Sequence, residues 1–423
     1  AEAHAAGATL KLEGEAALPL GRGANLTLDL RGERLDSLSA LARVELPPWG
    51  PWSLRGPIAM TSTGYEVRRL ALRVGESRLS GRGTLDVTGA RPRLDLRVTA
   101  PHIQLDDFPL PRRADPGRAP QRIQDALRAQ ASGAATQTQR VLSAGFLRRF
   151  DAYVDVEVRQ VLSGRDRLAD GTLRVQLVDG QLYLGPAEVN LPGGTAKLSL
   201  AYDPTKGGVE LAAGAYIERF EYGILARRRR PDSDVTGLFS LNLELAGKAP
   251  SLNAIMSSAD GHIDLAVWPE NLGAGQIDLW VVNLFRELLP VLDRGQVSVV
   301  NCVVGRFDLA GGKLTRDALV IDTSRMRVLG AGGIDFATEA IDFRFQPRAK
   351  DVQFFSLETP VSVTGTFTDF DIGVSPGDVL ATIARFLGSV VVVPLETLFR
   401  GPLPRDGRDV CDDPLRALGS PRR

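Results

Sequence analysis

The residues able to do chemistry are few and scattered. His4, His102 and His262 are the three histidines of the chain, and none has a Cys or carboxylate at ligand spacing, so no zinc-type constellation forms. No Gly-x-Ser-x-Gly elbow is present, and the glycines mark turns rather than a phosphate cradle between strand and helix. Asp106-Asp107 and Asp412-Asp413 are adjacent acids, but neighbours on a strand point to opposite faces and do not converge on one substrate atom. This reads as a chain that is not an enzyme and uses no metal and no cofactor. Arg227, Arg228, Arg229 and Arg230, followed by Pro231, form the strongest charge run. It is either a solvated loop or a contact for anionic head groups, where each basic residue gains about 1 kcal/mol near an anionic bilayer. Cys302 and Cys411 are few enough to be chance thiols; in an oxidising compartment a bridge would instead pin the tail to the body, typically worth about 2–4 kcal/mol.

The elements that position these residues follow from composition and pattern. At 423 residues the chain either divides into domains or grows as one elongated sheet. Lys+Arg and Asp+Glu both number 51, so no global field draws the chain onto nucleic acid, which is excluded as a partner. Hydrophobic residues at 43% and charged residues at 24% suit a folded chain with a sizeable core. No apolar run is long enough to span a bilayer. The best candidate, Phe386 to Leu395, is bracketed by Arg385 and Glu396 and interrupted by Pro394. Residues 7–30 already read as strand, turn and strand with no targeting signal before them, so a membrane helix is expected upstream in the full-length protein.

Apolar and polar residues alternate with a period of two in several segments, which gives each strand one greasy face. Leu94, Leu96 and Val98 alternate with Asp95, Arg97 and Thr99; Leu173, Val175 and Leu177 alternate with Arg174 and Gln176. Phe239, Leu241, Leu243 and Leu245 alternate with Ser240, Asn242 and Glu244, and Ile341, Phe343 and Phe345 alternate with Asp342 and Arg344. Turns such as Asp179-Gly180, Gly193-Gly194 and Gly311-Gly312 separate such strands at short intervals, so antiparallel meanders are expected. A loose unit of glycine-opened strand, turn and strand recurs at 83–98, 171–184, 237–252 and 333–345. Roughly twenty strands about 4.8 Å apart would stack to about 100 Å at most.

Three stretches break the pattern and set the expected organisation. Residues 1–110 form a β segment; 111–147, rich in Ala, Arg and Gln, form a helical or poorly ordered excursion. Residues 148–375 form a second β region. Within it 279–292 space Trp280, Val281, Leu284, Phe285, Leu288 and Leu289 as an amphipathic helix does. Residues 376–423 form a tail with one apolar helix-like segment followed by loop.

From about residue 70 onward the chain resembles the AsmA family. Gly171-Thr-Leu-Arg-Val-Gln-Leu-Val-Asp-Gly-Gln-Leu is similar to its strand, Asp-Gly turn and strand unit; Asn190-Leu-Pro-Gly-Gly-Thr-Ala-Lys-Leu-Ser-Leu is similar to its Gly-Gly turn. Ala259-Asp-Gly-His-Ile-Asp-Leu resembles the glycine-opened segment before its helical insertion. The runs beginning at Asn301, Val320, Gly330, Phe345 and Pro360 resemble its closing block in order, and Cys411 falls where the family often has a late cysteine. The Arg227–Arg230 run and the 111–147 excursion have no counterpart in the resemblance, and residues 1–69 match it only in style.

The resemblance implies a mainly β fold: a long, curved, mostly antiparallel repetitive sheet forming an apolar groove, with a few short helices. It implies a periplasmic protein of the bacterial cell envelope, anchored in the inner membrane by an N-terminal helix. Such a protein would shelter phospholipid acyl chains, help move them, affect outer-membrane assembly and meet outer-membrane components. In that compartment Cys302 and Cys411 are expected as a disulfide. The alternation by itself shows only one dry face per strand, so a structural or scaffolding β-protein of the envelope is the alternative.

Overall fold

The computed structural model describes residues 1–16, 24–39, 46–108, 142–229, 232–271, 300–324, 326–350, 360–367 and 369–373. These residues form one long, mostly antiparallel sheet of twenty strands with a few short helices. The early strands are β1 (Glu2–Ala5), β2 (Ala8–Ala16), β3 (Ala24–Gly32), β4 (Trp52–Met60), β5 (Gly64–Val74), β6 (Ser77–Asp86) and β7 (Arg93–Gln104). They are followed by α1 (Ala144–Leu147), β8 (Asp151–Ser163), β9 (Asp166–Val178), β10 (Gln181–Leu191), β11 (Gly194–Asp203) and β12 (Val209–Glu221). Then come α2 (Gly223–Arg229), β13 (Thr236–Ala249), β14 (Asp260–Asn271), β15 (Val300–Ala310), β16 (Lys313–Thr323), β17 (Met326–Asp335), β18 (Ala340–Ala349), β19 (Val361–Thr366) and β20 (Phe370–Gly373).

The chain divides into two compact units, one of residues 1–214 and 248–253, the other of 215–247 and 254–423. In the first, each strand from β1 to β11 pairs with the next. All these pairs are antiparallel except β7 with β8, which run parallel from Arg93↔Asp151 to Gln104↔Leu162. Antiparallel neighbours need only a turn between them, whereas a parallel neighbour needs a return connection, and this is the structural reason for a long excursion after β7. The excursion itself lies outside the described residues from 109 to 141.

In the second unit, each strand from β13 to β20 pairs antiparallel with the next. Gly261 opens the β14 ladder at φ +149, and a Cβ there would lie 2.0 Å from the Glu244 carbonyl oxygen. Only glycine lets the backbones of β13 and β14 approach so closely. The expected helix at 279–292 and the tail at 376–423 lie outside the described residues. Among the described residues no helix is long and apolar enough to cross a membrane.

The two units bury their apolar residues differently. The second has a closed core, formed by Val303, Phe307, Ile321, Val328, Phe343, Val363 and their neighbours on β15 to β19. In the first, a smaller cluster of Ala8, Trp52 and Val74 packs with Leu30, Leu35, Leu38, Trp49 and Phe108 at one end of the strands. The Trp52 indole lies over Gly32, its cross-strand partner, where any Cβ would collide with the ring.

Candidate functional site: an apolar ladder on one face of the sheet

In the first unit, strand register joins the alternating residues into continuous rows. Residues directly opposite on neighbouring strands share a face and touch, so each pairing extends the apolar surface by one strand. One row runs Leu10, Leu30, Leu54, Leu72 and Leu79 across β2 to β6. A second runs Leu85, Leu94, Ala152, Leu177, Leu182 and Tyr202 across β6 to β11. Beside it, Leu96 pairs with Val154, Val154 with Val175, Val175 with Leu184 and Leu184 with Leu200, while Val98, Val156 and Leu173 form the next row.

The candidates Leu94, Leu96, Val98, Leu173, Val175 and Leu177 therefore lie on one face. β8, whose Val154, Val156 and Val158 alternate with Asp155 and Glu157, joins the two sets. β8 is missing from the candidates drawn from sequence, although the same period-two signal is present there.

Burial differs between the rows, being greatest in the row through Ala152 and Leu177. Leu177 and Ala152 are buried, as are Ala100 and Tyr202, whereas Leu28, Leu54, Leu72, Leu96, Val154, Val175, Leu184 and Leu200 are all only half-buried. A face packed against a second layer buries its aliphatic side chains almost completely. Half-buried aliphatics in unbroken rows instead leave a partly accessible apolar surface, and large apolar surfaces of this kind mark binding sites.

The opposite face is ionic. Asp29 meets Arg31 and Arg55 at 2.5 Å each, and Asp155 meets Arg174 at 2.9 Å and Arg97 at 3.8 Å. The hydrogen bond from Arg31 holds the Asp29 carboxyl well below the usual carboxylate range; partial burial opposes this and Arg55 reinforces it.

In the second unit Phe239, Leu241, Leu243 and Leu245 are half-buried and pair with Val267, Leu265, Ile263 and Gly261. Ile263 and Leu265 pack against the closed core. Ile341, Phe343 and Phe345 are members of that core, only 2%, 7% and 2% exposed, with Phe343 edge-on to Phe307 and stacked with Phe345. The face at β18 is thus filled, whereas on β13 Leu245 packs against that core and Phe239, Leu241 and Leu243 stay half-buried.

β15 is buried on its other side as well, where Cys302, Val304 and Ala266 are fully buried around Trp268. Opposite Cys302 lies the fully buried Asp322, which accepts hydrogen bonds from Lys350 Nζ and Asn301 Nδ2 at 2.8 Å each. A buried carboxylate requires such partners, and these satisfy it.

The remaining chemical candidates are structural or separate. His4, His102 and His262 stand on β1, β7 and β14; His4 contacts Thr9 at 3.0 Å and His262 contacts Asn242 at 3.2 Å. Asp107 accepts from Glu76 N–H, Ser77 N–H and Ser77 Oγ, and Asp106 from Gly164 N–H and Gln104 Nε2, so both tie down strand turns. No metal-holding group of His, Cys, Asp and Glu occurs among the described residues. Arg227 lies 3.8 Å from Glu221 at the end of β12; Arg230 lies outside the described residues, as do Cys411, Asp412 and Asp413.

No family model and no solved structure matches the chain. Among curated proteins, the AsmA family protein YhjG of Escherichia coli (strain K12) is 21% identical over 382 residues, covering 87% of this chain and 56% of that protein. This similarity supports membership of the AsmA family. The chain spans about half the length of this AsmA relative. The likeness covers 382 residues and so extends through both β units rather than through a single motif.

Proposed function

We propose that this chain is a non-enzymatic protein of the bacterial cell envelope whose apolar ladder shelters phospholipid acyl chains and lets them move along the sheet. The observation that carries the reading is the unbroken, half-buried rows Leu96–Val154–Val175–Leu184–Leu200 and Val98–Val156–Leu173. Exposing a sixteen-carbon chain to water costs roughly 12 kcal/mol at about 0.8 kcal/mol per CH₂. A continuous apolar row removes that cost at each point along it, so a chain slides without any bond being made or broken. On this reading the protein works in the periplasm, held at the inner membrane by a helix upstream, and supplies phospholipid for outer-membrane assembly.

A scaffolding role is the second reading, favoured by the closed core around Phe343, where the sheet face is filled by its own side chains. Native mass spectrometry of the full-length protein, gently extracted from membranes, separates the two. Phospholipid at defined stoichiometry supports sheltering, and protein free of lipid supports the scaffold.

A further inference from the structure

The face opposite the apolar ladder carries two arginine pairs that strand register sets directly against each other. Arg73 on β5 faces Arg78 on β6, and Arg82 on β6 faces Arg97 on β7. Directly opposed residues are about 5 Å apart at their Cα atoms, and like charges in that position destabilise a sheet. The β5 bulge between Val67 and Leu70 adds the exposed Arg68 and Arg69 opposite the Arg82 end, and His102 lies across from Arg78.

The nearby acids are largely committed to other arginines. Glu66 holds Arg68 at 3.1 Å, Asp95 holds Arg93 at 3.1 Å, and Asp155 divides between Arg174 and Arg97. Among the described residues Arg69, Arg73, Arg78 and Arg82 have no carboxylate within ion-pair distance, and Arg73 donates only to the Gly75 carbonyl. All four are exposed. Elsewhere on this face arginines are matched to acids, as Arg31 and Arg55 are to Asp29 and Arg159 is to Glu157.

We propose that the polar face of β5–β7 is a contact site for phosphodiester anions, and that its partner is the surface of an anionic phospholipid bilayer. Guanidinium groups pair with phosphate oxygens two at a time, and their long apolar stems let the charged ends reach outward from a flat sheet. A bilayer presents many such anions in one plane, which suits charges spread over three strands and two rungs better than a single soluble anion. Charge complementarity is the argument; the contact does not depend on the acyl-chain reading, which concerns the other face.

The test is co-sedimentation of the full chain with vesicles of phosphatidylcholine alone or of equal parts phosphatidylcholine and phosphatidylglycerol, at low and high salt. The expected result is capture by the anionic vesicles only, lost at high salt. Arg78→Gln with Arg82→Gln should weaken capture about tenfold or more. The same double change should leave the melting temperature unchanged or raised, because it removes opposed like charges. A charge-matched control, Arg31→Gln with Arg159→Gln, removes two acid-paired arginines and should keep most of the binding. Equal capture by both vesicle types would overturn the proposal. So would finding that the protein carrying both Arg78→Gln and Arg82→Gln binds as the unaltered protein does. Loss of lipid from the apolar ladder with vesicle capture intact would count against the acyl-chain reading and leave this site standing.

Discussion

Leu96 on β7 lies directly opposite Val154 on β8, the one parallel neighbour in the chain of strand pairs from β1 to β11. The pairing keeps apolar residues on the same face through the change of strand direction, because a register slip of one would place Leu96 beside Asp155. The row then continues through Val175 and Leu184 to Leu200.

This difference between a half-buried row and a closed core has a direct energetic consequence. Phe343→Ala empties a packed site and should cost about 3–5 kcal/mol. Leu96→Ala removes a side chain that is already half solvated and should cost only about 1–2 kcal/mol. Urea unfolding of the two variants, followed by probes in each unit, checks the contrast; equal losses would show that the Leu96 face is as tightly packed as the core.

Gly261 should tolerate no side chain. Its φ of +149 and the 2.0 Å approach of the Glu244 carbonyl to any added Cβ mean that Gly261→Ala must part β13 from β14. A loss of about 1–3 kcal/mol is expected, with faster amide exchange at Leu245 and Ile263 as the local signature.

Cys302 is fully buried and no free cysteine occurs among the described residues. We expect a disulfide with Cys411 in the protein as it exists in an oxidising compartment. Thiol counting on denatured, unreduced protein should find no free thiol. Two thiols per chain would show that Cys302 and Cys411 are not bridged.

Asp29 provides a pH test. Its carboxyl is held below the ordinary value of 3.8, so the unfolded chain takes up this proton first as acid is added. The stabilisation is therefore complete above about pH 5, declines progressively as the pH falls below about 4, and is gone only below the lowered folded-state value. Asp29→Asn should lower the melting temperature modestly at pH 7 and by clearly less at pH 2. A deficit of the same size at both values would show that the charge is not the cause.

The strands themselves were legible because period-two alternation is a local property: Leu94 to Val98, Leu173 to Leu177, Phe239 to Leu245 and Ile341 to Phe345 all lie on strands. What joins them was not, since the partnership of Leu96 with Val154 spans the long excursion and depends on a parallel register that no local pattern encodes. The opposed pair Arg82 and Arg97 is hidden for the same reason. The half-buried Leu243 and the buried Phe343 carry the same alternation signal, because the pattern reports which way a side chain points and not what lies against it.

The most direct test of the acyl-chain ladder is photocrosslinking to lipid in living cells, with the crosslinker placed at Val175 on the apolar face or at Arg174 beside it on the ionic face. The account expects phospholipid adducts at 175 and none at 174, carried by protein that melts as the unaltered chain does. Absence of adducts at 175, or equal adducts at both positions, would contradict it.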